Sequence, residues 1–229
     1  KRYQSMTLPG VSAFFVMLQG AFGMWTVTLL VHPGIVTTHL IGGFITTALL
    51  IWMLLNQGRP PAIYRHVLKR HKSLLMVVLA LLSLQIILGG WTSTNYAALS
   101  CGEEFPTCLG AWWPAMDFSN AFTWGQLGVD YEYGVLDNPA RAAIQMLHRI
   151  GALVVTLSIA MLVYLFKEYA HLKINLILIS ALLTLQITLG IVNVLYSLPM
   201  LVAVLHNAVA LLLLLSVIGL VHKILQKPA

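Results

Sequence analysis

LQGAFGMWTVTLLVHPGIVTTH at residues 18–39 and LQITLGIVNVLYSLPMLVAVLH at residues 185–206 are the two stretches that decide the fold. Each opens on Leu-Gln-x3-Gly inside an apolar run and turns over at a proline, Pro33 or Pro199. Each then reaches a histidine twenty residues after its glutamine: Gln19 to His39, and Gln186 to His206. A third copy begins at Leu84-Gln85-x3-Gly89, makes a long excursion, and ends at His148. The apolar runs that hold the two arms of each copy are long enough to cross about 30 Å of hydrocarbon at about 1.5 Å per residue. One copy is therefore a hairpin of two membrane spans, and a repeat of this kind fixes the architecture before any single motif does.

Carried outward from these copies, the same reading finds six spans, near 9–31, 35–55, 73–93, 141–166, 173–196 and 200–222. The composition agrees, with 59% hydrophobic and only 9% charged residues across 229 positions, against roughly 25% charged in soluble domains. The net charge of +6 does not mark a nucleic-acid binder, because the cations fall in short blocks between apolar runs and form no basic face. The fold class is an all-α polytopic membrane protein of six transmembrane helices.

Those blocks predict orientation. Lys1, Arg2, Arg59, Arg65, Lys69, Arg70, Lys72, Lys167, Lys173, Lys223 and Lys227 all flank one side. The loop after the third span carries Glu103, Glu104, Asp117, Asp130, Glu132 and Asp137 against Arg141 alone. Both termini are thus expected in the cytoplasm and residues 94–140 outside. Cys101 and Cys108 lie in that outer loop, where an oxidising compartment permits a disulfide. Closing so short a loop stabilises by about 2–3 kcal/mol in the chain-entropy account. The rival, a metal site, has two thiols and lacks the further ligands it needs. Trp112, Trp113 and Trp124 suit a membrane–water interface, and residues 116–128 are expected to form a short interfacial helix.

The repeated glutamines and glycines read first as packing, since small residues let membrane helices approach and an amide can bond across the interface. The histidines divide. His66, His71, His171 and His222 fall at cytoplasmic span ends and His32 in an outer turn, where interfacial placement accounts for them. His39, His148 and His206 are well inside apolar spans, and an intramembrane ionisable residue is a functional candidate by default. Measured from the outer-side prolines at about 1.5 Å per residue, they sit about 8, 13 and 10 Å deep. Matching depth on neighbouring helices suits a shared cofactor. Two imidazoles from facing helices can hold a heme iron axially, with Arg149 as a charge-assisted partner for propionates. The alternative is three interhelical hydrogen bonds. His148 and His206 belong to the last four spans, which make one complete four-helix bundle over residues 73–229. Residues 1–57 then form half of a second, pseudo-symmetric bundle joined by a basic loop at 58–72. His39 is left without a partner, which predicts two further spans ahead of Lys1.

Four segments resemble one family: residues 18–43, residues 88–118 (LGGWTSTNYAALSCGEEFPTCLGAWWPAMDF), MLHRIGA at 146–152 and VLHNAVA at 204–210. With the spans between them they are similar to the later three-quarters of a bacterial heme A synthase of the proteobacterial type. The resemblance implies an oxidoreductase of the bacterial inner membrane, with eight spans in two pseudo-symmetric bundles. Its reaction oxidises a ring methyl of heme O to the formyl of heme A for cytochrome oxidase assembly. By position, His148 and His206 resemble the axial ligands of a heme b, His39 resembles one of two histidines that handle heme O and heme A, and Cys101 and Cys108 resemble the family's loop pair. The family's glutamate three residues before the partner of His39 has no place here. Gln145, three before His148, is its counterpart, so no catalytic residue is assigned. Heme O synthase and an electron donor are the implied partners, beside the lipid bilayer and a possible second copy. The competing reading is a b-type membrane cytochrome that carries electrons through a bis-His heme and modifies none.

Overall fold

The computed structural model describes residues 6–58 and 64–225. Lys1, Arg2, Arg59 and Lys227, and the side chains of Arg65, His66 and Lys69, lie outside what it describes. Six long apolar helices and one short one carry the chain. They are α1 (Thr7–Thr28), α2 (Pro33–Leu55), α3 (Tyr64–Thr94), α4 (Phe118–Ala121), α5 (Asn138–Phe166), α6 (Lys173–Leu195) and α7 (Met200–Leu225). All but α4 are long and apolar enough to span a membrane, which makes this a multi-pass membrane protein. The interfacial helix expected over 116–128 contracts to the single turn of α4, which Asp117 caps by accepting from the Ser119 and Asn120 amides.

The repeat extends to the backbone. Leu30, Tyr96 and Ser197, eleven residues after Gln19, Gln85 and Gln186, all adopt positive φ (51°, 53° and 54°). Just after each, an amide reaches back five residues: Val31 to the Thr26 carbonyl, Ala97 to Thr92, and Leu198 to Asn193. This is the left-handed helix stop that satisfies the last carbonyls of a helix. It recurs three times without glycine, although a side chain disfavours that conformation. The turns at 29–32 and 196–199 and the loop at 95–137 consequently share one end of the molecule, the loop end. Tyr131 of the loop seals the first turn by donating its amide to the Leu30 carbonyl, 3.1 Å away.

The last four long helices form a ring in which α3 packs on α5 and α7, and α6 also packs on α5 and α7. Helices α5 and α7 thus stand across the diagonal. The α1–α2 hairpin joins through α2, which leans on α3 and α7. Gly90 of α3 gives Thr37 and Leu40 of α2 room to approach, and Thr37 and Thr94 share a hydroxyl hydrogen bond of 3.1 Å.

Packing is uneven along the bundle. Leu75 and Val78 of α3, Ile159 and Phe166 of α5, Ile179 of α6 and Leu213 of α7 belong to one aliphatic core at the basic end. Towards the loop end the core stops. Among the described residues none is fully buried on α6 between Ile179 and Asn193, nor on α7 ahead of Val209. Two histidines expected at the surface are inside: His222 is 3% exposed and His32 1%. His222 is held by Asn56, with Nε2 and Oδ1 2.9 Å apart, and by the edge of Trp52. His32 is covered because the loop folds Trp124 and Tyr131 over it. Tertiary packing, which no span-by-span reading contains, overrides the placement of both.

Candidate functional site

His39, His148 and His206 lie in the loop-end half of α2, α5 and α7, and each meets the opening of its own repeat copy on a neighbouring helix. A β-carbon added to Gly23 would stand 3.2 Å from Cε1 of His39. The same construction on Gly89 gives 3.2 Å to Cε1 of His148, and on Gly190 3.0 Å to Cε1 of His206. The conserved-spacing glycine is thus the floor under the imidazole, and only a residue without a side chain leaves the ring its place.

The glutamine, one turn earlier, holds the same histidine. Gln19 donates its amide to the His39 carbonyl at 2.8 Å. Gln85 donates to the His148 carbonyl at 2.9 Å, and its nitrogen also lies 3.0 Å from Nδ1 of that ring. Gln186 lies 3.2 Å from Nε2 of His206. Room for the first two amides comes from Gly42 and Gly151, three residues after His39 and His148; a β-carbon on either would collide with the glutamine carboxamide. In the third copy that position is Val209, which is buried, and Gln186 reaches the ring alone. A packing role for Gln and Gly is correct as far as it goes, but what they pack and bond is the histidine. The constant Gln-x3-Gly opening, with a histidine on the next span in each copy, is the signal that they act as one unit.

The donor set suits a pair of axial ligands on a heme. An imidazole that ligates through one nitrogen needs a second-sphere partner for the other. Among the described residues, Nδ1 of His39 and Nδ1 of His206 are buried with no hydrogen-bond partner, and so are Oε1 of Gln85 and Oε1 of Gln186. An amide turned about its last bond exchanges donor for acceptor, so Gln186, which bonds only the ring of His206, can receive an N–H from it when the ring's other lone pair is engaged. Around His206 the neighbouring stretches of α6 and α7 hold no fully buried residue among those described, whereas α5 ahead of His148 is packed under the outer loop. Gln145, three residues before His148, is 4% exposed.

The guanidinium of Arg149 turns to the outer loop. Its Nη1 donates to the carbonyls of Pro106 and Thr107 at 3.2 and 2.9 Å. Its Nη2 donates to the carbonyl of Glu104 at 2.9 Å. All three lie in the loop closed by a Cys101–Cys108 disulfide, whose sulfurs pack on Ala142 and Met146 of α5.

Comparison with known proteins adds the following. The family model COX15-CtaA, described as cytochrome oxidase assembly protein, matches residues 1–218. The chain is 41% identical over 215 residues to the heme A synthase of Shewanella oneidensis, covering 92% of this chain and 64% of that protein. It is 26% identical to the heme A synthase of Neorickettsia sennetsu, over 86% of this chain and 58% of that one. With the heme A synthase of Maricaulis maris the identity is 29%, over 88% and 58%. The chain thus spans less than two thirds of the length of these relatives.

Proposed function

Because the chain belongs to the COX15-CtaA family of cytochrome oxidase assembly proteins, we propose that it forms the greater part of a heme A synthase. The reaction is oxidation of a ring methyl of heme O to the formyl of heme A in the bacterial inner membrane. The loop end faces the periplasm and the basic end, with both termini, the cytoplasm, as the distribution of cations favours. The observation that carries the reading is the triad of Gln, Gly and His, made three times at one level of the membrane.

In this reading His148 and His206 would hold a heme b, and His39 would face the heme O to be oxidised. When bound, a heme supplies an iron able to pass single electrons. The protein's own residues do the rest. Gly89 and Gly190 set the distance of each ring from the neighbouring helix. Gln85 and Gln186 fix ring orientation and offer the acceptor that raises imidazole basicity. The aliphatic core at the basic end closes the site to water from that side. Heme O synthase is the source of substrate, and an electron-transfer partner removes the reducing equivalents.

Chromatography of hemes extracted from cells lacking the full-length protein tests this. Heme O should accumulate and heme A disappear, with full-length protein restoring heme A and His148→Ala or His206→Ala failing to do so. Unchanged heme A in the deleted cells would overturn the reading and leave at most a bis-His electron carrier.

A further inference from the structure

The Cys101–Cys108 ring touches both walls of the site. Its disulfide is fully buried on Ala142 and Met146 of α5, six and two residues before His148. Its carbonyls at Glu104, Pro106 and Thr107 converge on the Arg149 guanidinium, one residue after His148. The Phe105 ring lies 5.7 Å from the same cation. On the far side Glu103 contacts the Ser197 hydroxyl in the turn between α6 and α7, a few residues before His206. The ring is braced internally as well: the Glu104 carboxylate accepts from the Gly110 amide at 2.8 Å and the Thr107 hydroxyl at 3.3 Å. Asn138, in the first turn of α5, donates to the Ser100 carbonyl at 3.2 Å.

A carbonyl triad of this kind needs a closed backbone, because three irregular peptide groups aim at one point only when the segment is constrained. The guanidinium fork is the side chain whose several fixed donors match it. Arg149 spends three of its N–H bonds there, and the charge-assisted bonds it makes are the stronger class.

We propose that Arg149 is a positioning residue, which locks the disulfide-closed loop onto the turn of α5 that presents His148 and so sets that ligand's register against α7. The proposal rests on the ligand role given to His148 above, but the lock itself is independent of any heme. It replaces the propionate partner with a latch between ligand helix and loop.

The test uses full-length protein in detergent and reads two quantities that need no bound heme. The first is the rate at which a phosphine reduces the Cys101–Cys108 disulfide. The second is amide hydrogen exchange over residues 145–152. Arg149→Gln should speed reduction by about tenfold or more, as expected for loss of hydrogen bonds to a charged group, and should speed exchange in 145–152. The paired Cys101→Ser, Cys108→Ser variant should raise exchange over 145–152 to the same degree as Arg149→Gln, and combining all three changes should add little. Wild-type protein with its disulfide reduced must show the same loosening, which covers the case of a variant that does not fold. Unchanged reduction in Arg149→Gln, or fully additive effects, would overturn the latch. Heme release from His148, followed by its spectrum, then links latch to ligand: faster loss in Arg149→Gln but not in the cysteine pair would return Arg149 to a propionate. If no heme is found, the functional reading fails while the reduction and exchange arms still decide on the latch.

Discussion

The imidazole of His148 lies against Gly89, its Cε1 3.2 Å from the point where a β-carbon on that glycine would stand. A methyl there must push the ring, the backbone of α3, or both. Gly89→Ala should therefore cost about 1–3 kcal/mol as an overpacking change and weaken the low-spin heme spectrum. Gly190→Ala, where the gap to His206 is 3.0 Å, should do the same. Gly20→Ala meets no neighbour within 4 Å and should leave spectrum and melting temperature unaltered. Absorbance per protein at the Soret maximum decides, and a normal spectrum in Gly89→Ala would contradict the account.

Gln85 makes two contacts to one residue, the carbonyl and the ring of His148. Replacement by Leu keeps the volume and removes both. Loss of an outer partner of a metal-bound imidazole typically lowers affinity about 10–100-fold, so Gln85→Leu should release heme faster by that order. Gly151→Val, which imports the residue found at the third copy's Val209, should drive the Gln85 carboxamide off the carbonyl and give a smaller effect in the same direction. Stopped-flow transfer of heme to an acceptor protein provides the comparison.

His32 is buried with both ring nitrogens unpartnered among the described residues, wedged between Trp124 and Tyr131 at centroid distances of 5.7 and 5.1 Å. Its contribution is shape. His32→Ala should open a cavity and cost about 2–4 kcal/mol. His32→Phe fills the same space without two buried polar atoms, each carrying a desolvation cost of about 1–3 kcal/mol, and should be neutral or stabilising. Thermal unfolding of the two variants separates these outcomes; equal losses in both would assign the ring a polar role.

Asp117 predicts a pH effect outside the membrane. The Ser119 and Asn120 side chains, and then their amides, donate to its carboxylate and hold it below the usual carboxylate range. A folded-state pKa below the unfolded one contributes stability above the unfolded value and loses it as pH falls through the folded one. The turn of α4 should therefore be capped at neutral pH and fray in acid, seen as faster amide exchange at residues 118–121. Asp117→Ala should fray at both pH values and show no such step.

Much of this was legible in the sequence, and the reason is geometric. A span needs only length and apolarity, so six were readable from composition along the chain. Where α1 and α6 stop follows from the left-handed turn at Leu30 and Ser197, which a hydropathy reading runs past. The repeat disclosed that Gln19 and Gln186 belong with His39 and His206, because equal spacing in sequence becomes equal height in a helical hairpin, and the shared Leu-Gln-x3-Gly opening linked Gln85 to His148 across the long loop. It did not disclose contact, since that depends on which helices are neighbours. Arg149 illustrates the limit: adjacency to His148 says nothing about azimuth, since one residue along a helix turns a side chain by about 100°, so its bonds to the Glu104, Pro106 and Thr107 carbonyls were not readable.

The aliphatic core at the basic end has a consequence for the order of assembly. Leu75, Ile159, Ile179 and Leu213 fasten four helices towards the basic end by contacts that require no cofactor. The bundle can thus be inserted and clamped at its base first, with its upper half left ready. Loading heme is then a docking event into a standing scaffold, and mature and unloaded protein should share the same membrane topology.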